Sequence, residues 1–404
     1  MTVRVTKPEV NIREKLAQLE RPIGLKGSEL MKSETAQEAR GFINAGRKNL
    51  IINGACTISQ RHESSTYTLD ANDGGGEYPV DRFRSWAIGG GTFTIQRSTD
   101  APPGFRNSMM YTVSTTDTSV GSSEYYCIQQ RIEGYNIAHL KWGTDDAKPV
   151  TLSFWVKSDI IGTYSGSCWN GGQSYTHAFE YQIFESDVWE YKTVTIPGPT
   201  IGTYNTANAV GLGFWWDLGS GAGFNAPAGV WQNTGDFRTT NQVPFIAHNN
   251  AKFRMTGIQL EVGLTATEFE HRPHGEELML CQRYYEKWKG ESTYNWYTAH
   301  GYNTNIYLTL PYKVPKRNSF PDGVGGASVE FSTTAASSLF GAYGNTSTSA
   351  HLDGLFTSTP ANVTSTNNDL SLDITLSAAT YTPYGTAVLV GLENNQWIAV
   401  NAEF

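Results

Sequence analysis

The residues of this chain that could perform acid–base chemistry are scattered carboxylates. Hydrolysis of a glycosidic bond needs two carboxyl groups held about 5–10 Å apart across a cleft. The candidate acids are Asp145, Asp146, Glu185, Asp187, Glu268 and Glu270. Most of them stand beside predicted strand ends or turns, where acidic residues are common for structural reasons. We therefore predict that the chain carries no catalytic pair.

A metal site or a nucleophilic site is equally unsupported by the sequence. His271 and His274 have a ligand-like spacing, but Pro273 between them prevents a regular helical pair. The motifs G-x-S-x-G and H-E-x-x-H and the glycine-rich nucleotide loops are absent. The four cysteines are Cys56, Cys127, Cys168 and Cys281; none forms a C-x-x-C pair, which predicts free thiols. We expect no enzyme activity, no metal and no cofactor.

Aromatic side chains are the stronger functional signal. The 404 residues include 11 Trp, 21 Tyr and 18 Phe, whereas only 17% are charged, below the usual share of about 25%. Flat rings with nearby polar groups suit adaptable recognition, including contact with sugars. The candidate glycan-binding residues are Trp215, Trp231, Trp169, Tyr175, Tyr294, Trp296 and Tyr297. Trp169, Tyr175 and Trp231 fall in predicted loops. The surroundings of the seven candidates fit core packing or a subunit interface as well, so these alternatives stay open.

A two-residue period indicates that strands form most of the chain from residue 49 to about residue 270. In 150–156 and 210–218 apolar residues alternate with polar ones, which places Phe154, Phe214 and Trp216 in a core. Trp155 and Trp215 fall on the opposite faces of these strands, and they would line one outer surface if the strands were neighbours. A phase change at Gly257 predicts a β-bulge. About nine strands predict a β-sandwich of jelly-roll size.

The regions on either side of this sandwich have different patterns. Residues 11–46 predict two short helices, whose apolar positions include Ile12, Leu16, Leu19 and Phe42. Such short helices are marginal alone and need a partner to pack against. Residues 275–289 predict a further helix, and the 115 residues of 290–404 form a second β region with 28 Ser and Thr but only three Lys and Arg.

Charge and hydropathy limit the possible partners and locations. The net charge is −8, but residues 1–48 carry a net +4 and the remainder a net −12. An acidic body argues against non-specific nucleic-acid binding, which depends on Lys and Arg. No run of about 18 apolar residues occurs, so we expect no membrane insertion. The first residues contain no apolar signal-peptide core, which predicts synthesis without secretion by that route.

Several stretches resemble a recurrent pattern in bacteriophage tail-fibre and other virion fibre proteins. These stretches are NLIINGACTISQR (49–61), YPVDRFRSW (78–86), VTLSFWVKS (150–158), TGIQLEVGLTATEFEHRP (256–273) and GEELMLCQRYYEKW (275–288). In such proteins the pattern looks like a jelly roll of the carbohydrate-binding-module type, followed by a distal domain. Because the F-W pair belongs to the pattern, the resemblance implies that Trp155 is architectural.

The resemblance implies a four-part, mostly β architecture. Residues 1–48 would be an N-terminal helical region that attaches to a phage tail or capsid protein, 49–272 a jelly-roll β-sandwich, 273–289 a helical bridge, and 290–404 a distal β-sandwich forming a receptor-binding tip. The attachment residues would be Ile12, Leu16, Leu19 and Phe42. The expected protein is a homotrimeric virion adhesin, made in the host cytoplasm, that binds a host-surface glycan. Two alternatives remain: a tail-spike polysaccharide depolymerase, and a structural connector or head fibre.

Overall fold

The computed structural model describes ten stretches of the chain. They are residues 47–69, 76–289, 295–303, 305–317, 328–331, 340–344, 362–365, 369–375, 381–392 and 397–403. The predicted N-terminal helices, with Ile12, Leu16, Leu19 and Phe42, lie outside these stretches, as does Tyr294. Within them the structure is mostly β, with 22 strands and one α-helix.

Two antiparallel sheets form the sandwich predicted for residues 49–272. Strands are numbered in chain order. The six-stranded sheet has the order β1 (Tyr67–Leu69), β4 (Thr92–Ser98), β5 (Ser108–Thr115), β13 (Lys252–Val262), β7 (Val150–Ser158) and β10 (Glu190–Ile196). The seven-stranded sheet has the order β12 (Trp231–Gln232), β9 (Thr176–Ile183), β8 (Gly162–Asn170), β11 (Val210–Asp217), β6 (Tyr125–Glu133), β3 (Phe83–Ile88) and β2 (Glu77–Val80). Strands that follow each other in the sequence often lie in different sheets or apart in one sheet, because the chain crosses between the two layers.

The core lies between the two sheets and confirms the predicted alternation. Phe154 of β7 meets Trp216 of β11 edge to face, with ring centroids 6.2 Å apart. Phe154, Phe214 and Trp216 are fully buried, whereas Trp155 and Trp215 are only partly buried on the outer faces. Burial of such rings stabilises a fold by about 1.5–3 kcal/mol each relative to leaving them exposed.

Trp155 and Trp215 do not line one surface, because their strands are not neighbours. β7 pairs with β10 and β13, while β11 pairs with β6 and β8, so the two strands belong to different sheets. Their apolar faces meet across the core, and the two indoles therefore point to opposite sides of the sandwich. Alternation shows which face of a strand is buried but does not show which strand lies beside it.

Residues 50–58 fall in the region whose two-residue period predicts strands, but the structure has no strand there. The chain turns there instead, with Asn53 and Cys56 at positive φ. The Asn53 side chain accepts a hydrogen bond from Ile58 N and donates to the carbonyls of Ile58 and Asp81. Asparagine tolerates this backbone conformation and satisfies the local main chain with its own amide, so the segment closes on itself.

The predicted β-bulge at Gly257 is confirmed. The register of β13 against β7 shifts between Thr256 and Gln259, and Gly257 has a φ of +62°. An L side chain would be strained at this φ, which explains glycine at the position. Because of the bulge, Phe253 and Met255 on one side of it and Ile258 and Leu260 on the other side all point into the core.

The helix α1 spans His274–Gln282 and is shorter than the predicted 275–289. Residues Tyr285–Lys289 form the strand β14 instead, because they pair along their whole length with β22 (Trp397–Asn401). A third strand, β17 (Ser328–Phe331), pairs with the other edge of β22. β14, β22 and β17 thus form a three-stranded sheet after the helix, with β22 in the middle.

A further six-stranded antiparallel sheet accounts for the other described strands beyond residue 290. Its order is β18 (Phe340–Gly344), β21 (Tyr381–Leu392), β15 (Asn295–Asn303), β16 (Asn305–Pro311), β20 (Asp369–Thr375) and β19 (Asn362–Ser365). The predicted distal region is therefore rich in strands, as expected. The helical part of the described chain contains nothing long and apolar enough to cross a membrane.

Candidate functional site

An aromatic strip runs across the outer face of the seven-stranded sheet. It consists of Trp86 on β3, Tyr125 on β6 and Trp215 on β11, three adjacent strands. The ring centroid of Tyr125 lies 6.1 Å from that of Trp86 and 6.3 Å from that of Trp215. All three side chains are partly exposed. In β3 the neighbours Ser85 and Ala87 are buried on the other face, so strand alternation directs Trp86 outward.

The loop between β11 and β13 forms a wall at one end of the strip. Phe237 stacks on the Trp215 indole with a centroid separation of 4.4 Å, and Phe224 stacks on Phe237 at 4.7 Å. Phe237 is buried, whereas Phe224 is partly exposed. One face of Trp215 is therefore already occupied by the protein. Ligand stacking along the strip falls chiefly to Trp86 and Tyr125.

Trp169 lies next to the strip but is almost completely buried, with 1% of its surface exposed. It contacts Trp215 at a centroid distance of 6.2 Å and packs directly over Gly213. A Cβ atom on Gly213 would overlap the indole, so the missing side chain makes the packing possible. Trp169 belongs to β8 rather than to a predicted loop, and it supports Trp215 instead of presenting a free face.

Two arginines, Arg84 and Arg131, lie beside the strip. The Arg84 guanidinium lies 4.1 Å from the centre of the Trp86 ring, and Arg131 donates from Nε to Gln129 Oε1 at 2.9 Å. Burial, and then the charge of Arg84, lower the pKa of Arg131 to about 10. Both arginines remain cations at neutral pH, and an anionic group beside them would relieve their mutual repulsion.

The arginines line a small pocket next to the strip. Its lining residues are Tyr78, Arg82, Arg84, Gln129, Arg131 and Glu403. Three of these residues are arginines, and Arg82 is paired with Glu403. The pocket has a volume of about 10 Å³, which is room for about one water molecule, so an anionic ligand group would meet the arginines only at its rim.

Buried polar atoms lie beneath Trp215. Strand register places Trp215 between Gln129 of β6 and Ser167 of β8. Gln129 Nε2, Ser167 Oγ and the Trp169 indole nitrogen are buried and have no hydrogen-bond partner within the described residues. Buried groups without partners are uncommon and call for a water molecule or a ligand atom that reaches them.

Trp231 and Tyr175 form a separate cluster at the β9 end of the same sheet. Their rings are parallel, with centroids 5.3 Å apart, and Trp142 meets Trp231 edge to face at 5.6 Å. Trp231 pairs with His177 across β12 and β9, donates its indole N–H to the Pro197 carbonyl and packs against the core. Trp231 is thus in a strand rather than a loop, and Tyr175 is largely buried in the β8–β9 turn.

The remaining predicted candidates lie in the distal sheet. Trp296 and Tyr297 occupy β15, where they pair with Gly391 and Val390 of β21. Tyr294 lies outside the described residues. The structure therefore assigns Trp296 and Tyr297 to a central strand of that sheet.

The candidate acid Glu270 is engaged in structural contacts. Glu270 accepts bonds from the main-chain N–H groups of Lys48 and Asn49 and pairs with Arg272. Among the residues that the structure describes, no three His, Cys, Asp or Glu side chains come together as metal ligands. The four cysteines are buried free thiols.

Three solved structures resemble part of this chain. The enzymatically active domain of tailspike protein 4 from bacteriophage CBA120 has 11% identity and a TM-score of 0.28, over 55% of this chain and 22% of the tailspike domain. A family 11 carbohydrate-binding module from Clostridium thermocellum, in complex with a β-1,3-1,4-mixed-linked tetrasaccharide, has 13% identity and a TM-score of 0.25. The match covers 50% of this chain and 98% of the module. A family 61 carbohydrate-binding module in complex with β-1,4-galactotriose has 10% identity and a TM-score of 0.25. The match covers 54% of this chain and 100% of the module.

These likenesses concern the β-sandwich and carry no argument about ligand or activity. This chain spans about a fifth of the tailspike domain's length and essentially all of the two modules. No family model matches the chain. No curated protein matches it either.

Several residues of the site were missed by the sequence reasoning. Arg84 and Trp86 alternate with buried residues in β3, so that strand pattern already placed them on an outer face. In β6 five consecutive buried residues separate Tyr125 from Arg131, and no alternation marks them. Sequence alone did not show that β3, β6 and β11 are neighbours. Trp215 is the one predicted candidate that the structure joins to this group.

Proposed function

We propose that the protein is an adhesin of a phage virion that binds a host-surface glycan through the aromatic strip. The observation that carries the proposal is the chain of contacts from Trp86 through Tyr125 to Trp215, in which Trp86 and Tyr125 keep partly exposed ring surface for stacking on sugars and Trp215 is backed by Phe237. Arg84 and Arg131 are partly exposed next to these rings, and arginine favours a glycan that carries carboxylate or phosphate groups. Lipopolysaccharide and acidic capsular polysaccharide have this chemistry.

The position of the protein on the virion and its assembly belong to the same proposal. The resemblance of the chain to virion fibre proteins supports attachment through residues 1–48, with Ile12, Leu16, Leu19 and Phe42 at the contact. A homotrimer would present several copies of the strip and raise weak affinity per site by avidity. Distal strands 290–404 would contribute further receptor contacts at the tip. Assembled particles test the attachment: Leu16→Glu with Leu19→Glu should abolish incorporation while glycan binding persists.

Binding of the full chain to immobilised host polysaccharide tests the glycan proposal. The probes are lipopolysaccharide and capsular polysaccharide purified from candidate host bacteria. We expect saturable binding to at least one probe, weakened about tenfold by Trp86→Ala, the loss of one stacking contact. Arg84→Gln should weaken binding to the acidic probe and reduce its dependence on salt. Tyr135→Ala is the matched control, because Tyr135 is 61% exposed and lies outside the strip.

The same experiment separates the two rival functions. Sustained release of reducing ends from either polysaccharide would identify a depolymerase and overturn the adhesin proposal. No binding to any polysaccharide of a susceptible host would identify a structural connector or head fibre. Binding that the strip variants leave unchanged would place the glycan site elsewhere on the chain.

A further inference from the structure

We infer that the opposite face of the sandwich carries a second, independent glycan site that takes uncharged sugars. This inference rests on the proposed glycan-binding function and extends it to a second surface with a different ligand class. The site is a groove on the outer face of the six-stranded sheet, with a volume of about 510 Å³. We call it the Trp155 groove. Its lining residues are Pro103, Gly104, Phe105, Ser153, Trp155, Tyr191, Gly257, Ala266, Thr267, Glu268, Phe269 and His271.

The floor of the Trp155 groove is a pair of aromatic rings. Trp155 of β7 and Tyr191 of β10 lie directly opposite each other in the ladder, with ring centroids 5.3 Å apart. Tyr191 is 44% exposed and Trp155 is partly exposed, so both present ring surface to the groove. Two adjacent rings on a rigid sheet form a fixed platform, which lowers the entropy cost of binding.

One wall of the groove depends on the bulge in β13. Gly257 lies beneath Phe105, and a Cβ atom there would be 2.7 Å from Phe105 Cζ and 3.0 Å from Trp155 Cδ1. The absence of a side chain thus lets the loop that carries Phe105 close onto the platform. Phe105 also meets Phe269 at 5.0 Å and His271 at 5.3 Å, which completes an aromatic wall. The bulge and the wall together make a built groove rather than a chance depression.

The charge of the groove selects the class of sugar. Its lining includes one carboxylate, Glu268, and neither Lys nor Arg. Lys48 bonds the Thr267 hydroxyl and the Glu268 carbonyl but is not a lining residue. The Glu268 carboxylate has oxygen atoms that accept from sugar hydroxyls, whereas the Thr267 hydroxyl is already bonded by Lys48 and Glu261. The lining has no Lys or Arg to pair with a carboxylate or phosphate group on the ligand. The groove therefore fits an uncharged glycan, in contrast to the arginine-flanked strip on the other face.

The volume also agrees with a short saccharide. Pockets for small ligands typically enclose about 300–1,000 Å³ and combine aromatic walls with a few polar groups. The aromatic floor supplies the stacking surface, and the rim supplies the polar groups. A peptide strand would require an unpaired sheet edge, whereas the groove lies over the face of β7, whose two edges are paired with β10 and β13.

Calorimetric titration of the full chain with uncharged tetrasaccharides of glucose, galactose and N-acetylglucosamine tests the inference. We expect at least one of them to bind, with affinity about tenfold lower in Tyr191→Ala and in Trp155→Ala. Glu268→Gln should weaken binding by a smaller factor, because the amide still offers one acceptor oxygen. The strip variant Trp86→Ala and the exposed control Tyr135→Ala should bind these sugars normally.

The outcomes distinguish this inference from the proposed function. If the acidic polysaccharide binds and no uncharged tetrasaccharide does, the groove inference is overturned while the strip proposal stands. If uncharged sugars bind and Tyr191→Ala leaves their affinity unchanged, the inference is also overturned. Sedimentation of Tyr191→Ala gives a further check: a change in oligomeric state without sugar binding would make the groove a contact between copies. Should Trp155→Ala fail to fold, Tyr191→Ala and Glu268→Gln still decide the result.

Discussion

The ammonium of Lys316 lies 2.5 Å from the carboxylate of Glu286, and both side chains are completely buried. Glu286 belongs to β14, and Lys316 follows β16 in the chain. Lys316 also donates to the carbonyls of Gln282 and Val314, so all three of its N–H groups are used. Burial lowers the pKa of Lys316, and the nearby carboxylate opposes this shift. The ion pair connects the segment around Lys316 to the three-stranded sheet of β14, β22 and β17.

Removal of one partner should destabilise the protein strongly. Glu286→Gln leaves a buried ammonium without its counter-charge, which costs about 3–5 kcal/mol in the free energy of unfolding. The double variant Glu286→Leu with Lys316→Met should lose less than either single change, because no buried charge remains. Urea unfolding measures the difference. Glu63→Gln is the matched control, since the Glu63–Lys289 pair is exposed and contributes about 0–1 kcal/mol.

Acid should weaken the contact between Glu133 and the segment after α1. Arg283 donates two N–H groups to Glu133, and Tyr284 donates its hydroxyl. Burial raises the pKa of Glu133, but these bonds outweigh burial and leave it below its ordinary value of 4.5. The unfolded chain therefore takes up the proton first. The stabilisation should be complete above about pH 4.5 and be lost as the pH falls through the folded pKa.

Melting temperatures between pH 3 and 7 check this expectation for Glu133. Glu133→Gln should melt lower than the unmodified protein at neutral pH, with the difference shrinking in acid. Asp146→Asn serves as the control, because Asp146 pairs with Lys141 at an exposed site. An undiminished difference at pH 3 would contradict the role assigned to ionised Glu133.

A methyl group at Gly213 should disturb the support of the aromatic strip. Gly213→Ala would drive a Cβ atom into the Trp169 indole, and overpacking of this kind costs about 1–3 kcal/mol. We expect lower stability in urea together with weaker binding of acidic polysaccharide, since Trp169 supports Trp215. Gly172→Ala should change neither, because the nearest atom to a Cβ at Gly172 would be Ser174 Oγ at 3.7 Å, an ordinary contact distance.

Truncation of Phe237 should uncover Trp215. Phe237→Ala removes a buried ring that stacks on the indole, a loss that costs about 3–5 kcal/mol for a core phenylalanine. Water would then reach Trp215, so the tryptophan emission should shift to longer wavelength. Phe184→Ala is the control at a 70% exposed ring. An unchanged emission maximum would show that another part of the loop covers Trp215.

The sequence predicted local features well where the burial of a residue follows from the pattern of its own strand. The alternation around Phe154 and Trp216 identified core positions, and the phase change at Gly257 identified a bulge. Both follow from the two-residue repeat of a strand, which needs no knowledge of neighbouring strands. The mostly β fold was predictable for the same reason.

The candidate site was less predictable, because it depends on which strands are neighbours. Trp155 and Trp215 have similar sequence contexts but lie on opposite faces of the sandwich. The burial of Trp169 depends on Gly213, a residue 44 positions away that reaches it only through the β8–β11 register. The glycan role of the strip, the virion attachment and the trimer remain predictions.

The pairing of β14 with β22 has a consequence for how recognition can change. Lys289 lies opposite Trp397, so the chain leaves this three-stranded sheet and returns to it at the same cross-strand pair. All six strands of the distal sheet lie between these two residues, so that sheet starts and ends on a fixed base. β17 and Lys316 lie in the same interval but belong to the base, because β17 pairs with β22, Lys316 pairs with Glu286, and Asn208 of the sandwich donates to the Arg317 carbonyl. Recognition could therefore diverge within the distal sheet only if an exchange retains β17 and the residues around Lys316.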